Sequence, residues 1–519
     1  MAFRYILAKG VYALCLITVG LFTACGGGVS NPNKNITLDS FSELRAEKFI
    51  LNSEEIRNNI KILIESDGIS MQSDKFVHNY YLNDNPFIWI SRLGVYDRAD
   101  SLIGFIRKAN TYGISLRFLK FDEIRRDFEC MRTLGISDVR DEDVNVIMAR
   151  LEYNLSKAYL RYLGGIRFGF VNPDYLYNNF EKNEEDSTST QYRQLSELHV
   201  QRPNNRFYRD AINSAFNDSI GHLLSSIHPR NELYLKLLSR LNGTQLSGDE
   251  RSKTICNIER CRWRLNGLSN ENDADGKYVE VNIPSFSLRA IDGENALLMR
   301  TGCGTVKHKT PLLTSKITRM DVNPQWIVPK SISKGFFDDY DYMHRMGMFV
   351  FDKKKGKLPP EEAEYEKIIN GEQYIIQAGG PKNSLGRIIF RFDNSFSVFL
   401  HDTSSPWVFK RDSRAVSHGC VRVEKPYELA LFMIGKDDEE LADRLKYSMT
   451  VDFINDRDSL AKRGIDSKRL VSSIPVRPVV PLFITYYTIY YGSNGQLADY
   501  QDIYGYDEAL AEKLKPFMN

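Results

Sequence analysis

The chain has 519 residues, 42% apolar and 12% aromatic, which excludes a disordered or collagen-like polypeptide. At roughly 150 residues per domain it has room for about three compact units. With 69 Lys and Arg against 67 Asp and Glu the net charge is +2, so no global field exists to hold nucleic acid.

The first nine residues carry Arg4 and Lys9 and no acid, and a mostly apolar run follows over Val11–Phe22. A span needs ~20 apolar residues to cross a bilayer, so this shorter run predicts a signal peptide over residues 1–24. Leu21-Phe22-Thr23-Ala24-Cys25 resembles the bacterial lipobox, in which the cysteine after the cut is acylated. Residues 25–37, with three consecutive glycines, are expected to be a flexible tether. The expected placement is therefore the periplasm, with a membrane anchor through Cys25. Gly26, in place of a retention Asp, points to the outer membrane. Once Cys15 and Cys25 are set aside, Cys130, Cys256, Cys261, Cys303 and Cys420 remain, an odd number that leaves at least one thiol unpaired. Cys256 and Cys261 lack a second ligand pair, so no zinc site is expected, and with neither a P-loop nor a dinucleotide fingerprint no other cofactor is expected.

Residues 38–267 read as a helical domain, with apolar three- and four-residue spacing at Tyr96–Ala109 and Val144–Tyr162, a polar loop at Tyr175–Gln194 and a helix at Asn231–Leu241. The Asn- and Asp-rich segment Leu268–Lys277 marks a boundary. Beyond it, strands are predicted at Tyr278–Ile283, Ser285–Ala290, Ala296–Thr301, Arg387–Phe392 and Ser397–His401. The interval 331–373, with its Lys353–Lys357 run and a helix-like Pro360–Ile369, reads as an insertion that could cover a site. A helix at Glu424–Ile434 completes a β-rich domain over 278–453, and residues 454–519 are expected to add strands at Leu482–Tyr491 and near Gln501–Tyr504. The fold class is α+β.

Chemistry concentrates in Phe399–Val423, which holds His401 at the end of a predicted strand and Ser417-His418-Gly419-Cys420 in a turn. A thiol attacks as its thiolate, and a neighbouring imidazole can take the proton or share it in an ion pair. Glycine at 419 clears space for a substrate, and backbone N–H groups of such a turn could hold a developing oxyanion.

His401 and Ser417 stand fifteen residues apart, and H-x(14–17)-[ST]-H-G-C is the signature of the YkuD-type L,D-transpeptidases. The chain resembles the large Gram-negative subfamily with a helical scaffold before the catalytic domain. Phe87–Ile90, Ala158–Arg167, Asn257–Trp263, Val281–Leu288, Asn323–Pro329, Asn383–Gly386 and Pro481–Tyr486 extend the likeness over most of the chain. The resemblance implies Cys420 as nucleophile, His401 as base with help from Asp402, and Ser417, His418 and Gly419 in the oxyanion turn. It also implies Arg422 as a fork for a substrate carboxylate and Trp326 as an apolar wall. Two departures stand out. Phe399 replaces a common Tyr, and only sixteen positions separate Leu241 from Asn257, too few for the peptidoglycan-binding module that relatives often insert.

The implied activity is peptidoglycan cross-linking through a thioester, with stem peptides as donor and acceptor and a role in cell-wall organisation, cell shape and carbapenem sensitivity. Other cell-wall enzymes or glycan-binding proteins are expected partners. The same thioester could serve an L,D-carboxypeptidase or amidase, and a non-catalytic wall-binding lipoprotein is the rival from another class.

Overall fold

The computed structural model describes residues 50–133, 143–182, 191–243, 245–265, 276–337, 339–435, 438–451 and 464–518. The expected signal peptide, Cys25 and the tether lie outside the described residues, as does most of the 268–277 boundary. The described residues fall into two compact units: those within 1–110, 114–163 and 203–226 in one, and those within 111–113, 164–202 and 227–519 in the other.

The first unit is helical. Helices α1 (Ser53–Ser66), α2 (Gln72–Leu82), α3 (Asp97–Arg107), α4 (Phe121–Thr133), α6 (Asn205–Phe216) and α7 (Ile220–Ser226) bury one face each, as their three- and four-residue spacing dictates, while the long α5 that begins at Val144 is buried on nearly all sides, polar residues included. Starts are fixed by side chains: Asn52 caps α1 and Asn204 caps α6.

The second unit is β-rich, which makes the whole α+β. Strands β1 (Lys277–Asn282), β2 (Ser287–Asp292), β3 (Asn295–Gly304), β4 (Leu312–Val322), β5 (Ile388–Phe392), β6 (Leu400–His401), β7 (Val421–Val423) and β8 (Ser473–Thr485) form a sheet in the order β5-β6-β7-β3-β2-β1-β8-β4. Pairing of β5 with β4 closes it into a barrel. Barrel closure leaves β4 no free edge; its sequence, LLTSKITRMDV, alternates too irregularly to be foreseen as a strand.

Other expectations shift. Ser397 has φ +57°, and the Asn394 carboxamide accepts from Phe396 N and Val398 N, so the expected strand at Ser397–His401 shortens to its last two residues. The segment near Gln501–Tyr504 is no strand: the Asp502 carboxylate accepts from Tyr506 N and Asp507 N and launches a helix at Tyr506–Leu514. The insertion carries its own four-stranded sheet, which includes Trp326–Ile327, Met348–Asp352, Gly356–Leu358 and Gln373–Gln377, and a small core around Val328, Met343, Val350 and Ile375. Its expected helix divides into a 3₁₀ turn at Pro360–Glu362 and a helix at Tyr365–Ile369.

The Asn257–Trp263 block lies on a helix at Gly248–Arg262 and pins the C-terminal segment. The Asn257 carboxamide oxygen accepts from Thr488 N (2.9 Å) and Ile489 N, and Arg260 ion-pairs with Asp507. Thr488 lies three residues beyond the end of β8, so this helix holds the chain where it leaves the barrel.

Candidate active site

Strands β6 and β7 run parallel, with Leu400 opposite Val421 and His401 opposite Arg422. Residues facing each other across a sheet point the same way, and residues two apart share a face. Phe399, His401, Cys420 and Arg422 therefore share one face, opposite that of the fully buried Leu400 and Val421. The bond from Val421 N to Phe399 O (3.1 Å) continues the ladder to the level of Cys420. Cys420 is thus the diagonal neighbour of His401, at a spacing of ~7–8 Å that an aromatic side chain can span.

His401 is 4% exposed, and its Nδ1 lies 2.5 Å from Asp402 O. A carbonyl only accepts, so Nδ1 carries the proton and Nε2 is the nitrogen that can take another. Burial and the Arg422 charge lower the imidazole to about 3, against an opposing pull from the Asp402 and Leu385 carbonyls. The Asp402 carboxylate accepts from Arg387 N and Thr403 N, both 2.7 Å, so its oxygens hold the loop that presents His401. Gly386 is needed there: a Cβ would come within 2.4 Å of the Asp402 carboxyl.

Cys420 differs from the other described cysteines. Cys130, Cys256, Cys261 and Cys303 are buried, Cys420 is only partly so, and none of the five is in a disulfide. Burial raises the Cys420 thiol to about 11, with the Phe399 backbone and the Arg422 and Arg391 charges pulling the other way. A thiol raised and an imidazole lowered make the resting pair neutral.

The turn is stapled by Ser417, whose Oγ donates to Cys420 O (2.5 Å) and accepts from Gly419 N (3.1 Å). That bond occupies the Gly419 amide. Gly419 has φ +114°, a conformation side chains rarely adopt, while a Cβ there would meet Val398 and Lys309 only at ordinary contact distances. Backbone geometry, more than clearance for a substrate, requires the glycine. The His418 ring is exposed and lies against His308, centroids 4.5 Å apart, so it is the backbone at 418 that belongs to the turn.

Sequence reasoning passed over a brace beneath the turn. Thr310 Oγ donates to Gly419 O (2.9 Å) and accepts from Gly304 N (2.8 Å). Thr310 N donates to Tyr504 Oη (3.1 Å), which donates to Gly304 O (2.7 Å). Nothing in the spacing of these three residues signals the arrangement; chain closure near the C-terminus creates it.

Arg422 is partly exposed, its Nε is buried without a hydrogen-bond partner, and it has no carboxylate partner among the described residues. Trp326 stands apart from this cluster: it is half-buried on the insertion's sheet, edge-on to Phe336 at 6.4 Å. No group of three or more His, Cys, Asp or Glu able to hold a metal occurs among the described residues.

Residues 276–451 match the YkuD family, described as the L,D-transpeptidase catalytic domain, and residues 75–241 match a scaffold domain. A Haemophilus influenzae protein named "Putative L,D-transpeptidase" is 25% identical over 397 residues, covering 75% of this chain and 74% of the relative. Among solved structures, L,D-transpeptidase 3 from Mycobacterium tuberculosis is 11% identical with a TM-score of 0.19, covering 40% of this chain and 61% of that one, and no structural correspondence is drawn from it. The chain therefore carries a YkuD-family L,D-transpeptidase catalytic domain at residues 276–451, preceded by a scaffold domain at residues 75–241.

Proposed function

We propose that the chain cross-links peptidoglycan stem peptides through a thioester on Cys420. The observation that carries this reading is the shared face of β6 and β7, which holds Cys420, His401 and an Arg422 with no carboxylate partner among the described residues. Arg422 takes a carboxylate of the donor stem in a charge-assisted fork, which sets the scissile carbonyl over Cys420. His401 Nε2 removes the thiol proton as Sγ attacks the carbonyl of the L-configured centre of the diamino acid. With Gly419 N committed to Ser417, the oxyanion falls to neighbouring amides of the turn. Collapse breaks the amide bond to the terminal D-alanine, whose nitrogen takes the proton from His401, and leaves the thioester. The side-chain amine of a second stem then attacks, gives a proton to His401, and forms the new amide as the Cys420 thiolate departs. His401 returns that proton to the sulfur.

The insertion is the element suited to cap the acyl-enzyme and exclude water, which would favour an amine over hydrolysis. Purified tetrapeptide muropeptides should yield cross-linked dimers as the main product. Exclusive release of shortened tripeptides would replace this reading with a carboxypeptidase, and no turnover at all would favour a binding protein.

A further inference from the structure

The helical unit contains a cleft of about 420 Å³ that the catalytic reading does not use. Helices α2 and α6 form its walls, closed at one end by residues 83–86. Asn205, Arg209 and Asn213 recur every four residues along α6, so they line one stripe of that helix. Asn79, on α2, and Asn83, just beyond its end, do the same from the other side.

Asparagine is a poor residue for a helix interior, costing up to ~0.7 kcal/mol against alanine, and a carboxamide usually recovers this by capping or bonding locally. Asn83 and Asn85 do so, donating to Asn79 O (2.6 Å) and Tyr80 O (2.8 Å). The side chains of Asn79, Asn205, Asn213 and Arg209 have no partner among the described residues. Each carboxamide offers two donors and an acceptor to whatever occupies the cleft.

Between the amides lie aromatic faces held in place from behind. Phe76 packs on Tyr208 at 5.2 Å, and Tyr80 Oη donates to Pro86 O (2.7 Å). Phe216 remains 39% exposed, under the Arg98 guanidinium at 5.5 Å, which is itself held by Ala215 O (2.7 Å). The lining includes no carboxylate and only one cation, Arg209.

Paired donors and acceptors, fixed aromatic faces and near-neutral charge suit a ring with hydroxyl and amide substituents on its edge and C–H groups on its face. We propose that this cleft binds an uncharged amino-sugar oligosaccharide, with the carboxamides reading hydroxyl and acetamido groups and Phe76, Tyr80 and Phe216 stacking on pyranose faces. That the natural ligand is the glycan strand of peptidoglycan rests on the proposed function; the sugar class rests on the lining alone.

The test is calorimetric titration of the full chain carrying Cys420→Ala with tetra-N-acetylchitotetraose, and with cellotetraose, which lacks the acetamido groups. Chitotetraose should bind at least tenfold more tightly than cellotetraose. Asn205→Ala with Asn213→Ala, and separately Phe216→Ala, should each weaken it at least tenfold, while the same changes beside an intact Cys420 leave thiol acylation by a carbapenem at the parent rate. No binding of chitotetraose, or binding indifferent to both variants, overturns the proposal. Sugar binding together with a failure of the intact Cys420 of the parent chain to be acylated by a carbapenem would uphold the cleft and count against the catalytic reading.

Discussion

Buried cations are treated differently in the helical unit and on the face that carries His401 and Cys420. In the helical unit, Arg161 and Asp74 are 8% and 0% exposed at the side chain and meet in a two-point pair, at 2.7 and 3.0 Å. Asp74 also accepts from Ser70 N and Met71 N. Arg150 makes a similar fork to the fully buried Asp127, and Lys157 pairs with Asp67. At the catalytic face, Arg422 is desolvated enough to lower its pKa, and none of the described carboxylates answers it. Since the desolvation of an unpaired charge costs free energy, a fold that pairs such cations elsewhere leaves this one open where a ligand carboxylate can complete it.

The comparison can be broken from either side. Asp74→Ala strands the Arg161 guanidinium, and a denaturant titration should register a loss of about 3–5 kcal/mol, with unchanged Cys420 acylation per folded molecule. Arg422→Leu strands nothing, so its stability should match or exceed that of the parent, while kcat/KM for the tetrapeptide donor falls about 10- to 150-fold with the loss of a charge-assisted fork worth about 1.5–3 kcal/mol. If Arg422→Leu unfolds the protein or leaves donor turnover intact, the two regions do not differ in the way described.

A smaller effect is expected at Thr310, a neutral buried group satisfied as both donor and acceptor. Thr310→Val leaves Gly419 O and Gly304 N without it, a cost of about 1–3 kcal/mol, and should slow acylation less than tenfold. Thr310→Ser should recover the parent rate. Failure of serine to rescue would mean that the methyl group, and not the hydroxyl, supports the turn.

The contrast also marks what sequence could reveal. His401, Ser417, Gly419 and Cys420 were legible because their chemistry is local: one turn and one neighbouring strand fix them, and their spacing survives in the chain. The helical stripes of α3 and α5 were legible for the same reason, each being a short-range pattern. β4 was not, because its pairing with β5 and β8 is what makes it a strand. Thr310 and Tyr504 escaped because almost two hundred residues of chain separate them, and only the fold joins them. Trp326 was placed beside the right segment, yet its packing is set by a sheet internal to the insertion that no periodicity announced.

The central claim is that Cys420 is a nucleophile served by a neutral His401. Intact-mass spectrometry of the full chain with a carbapenem, at about pH 7.5 and about pH 5.5, tests it most directly. Because His401 is held at about 3, well below its ordinary value, it remains a base at both pH values, and one acyl adduct should form at comparable rates. Cys420→Ala should form none, and His401→Gln should be slowed about 10²- to 10⁴-fold. Adducts on Cys420→Ala as readily as on the parent, or full-rate acylation of His401→Gln, would contradict the account.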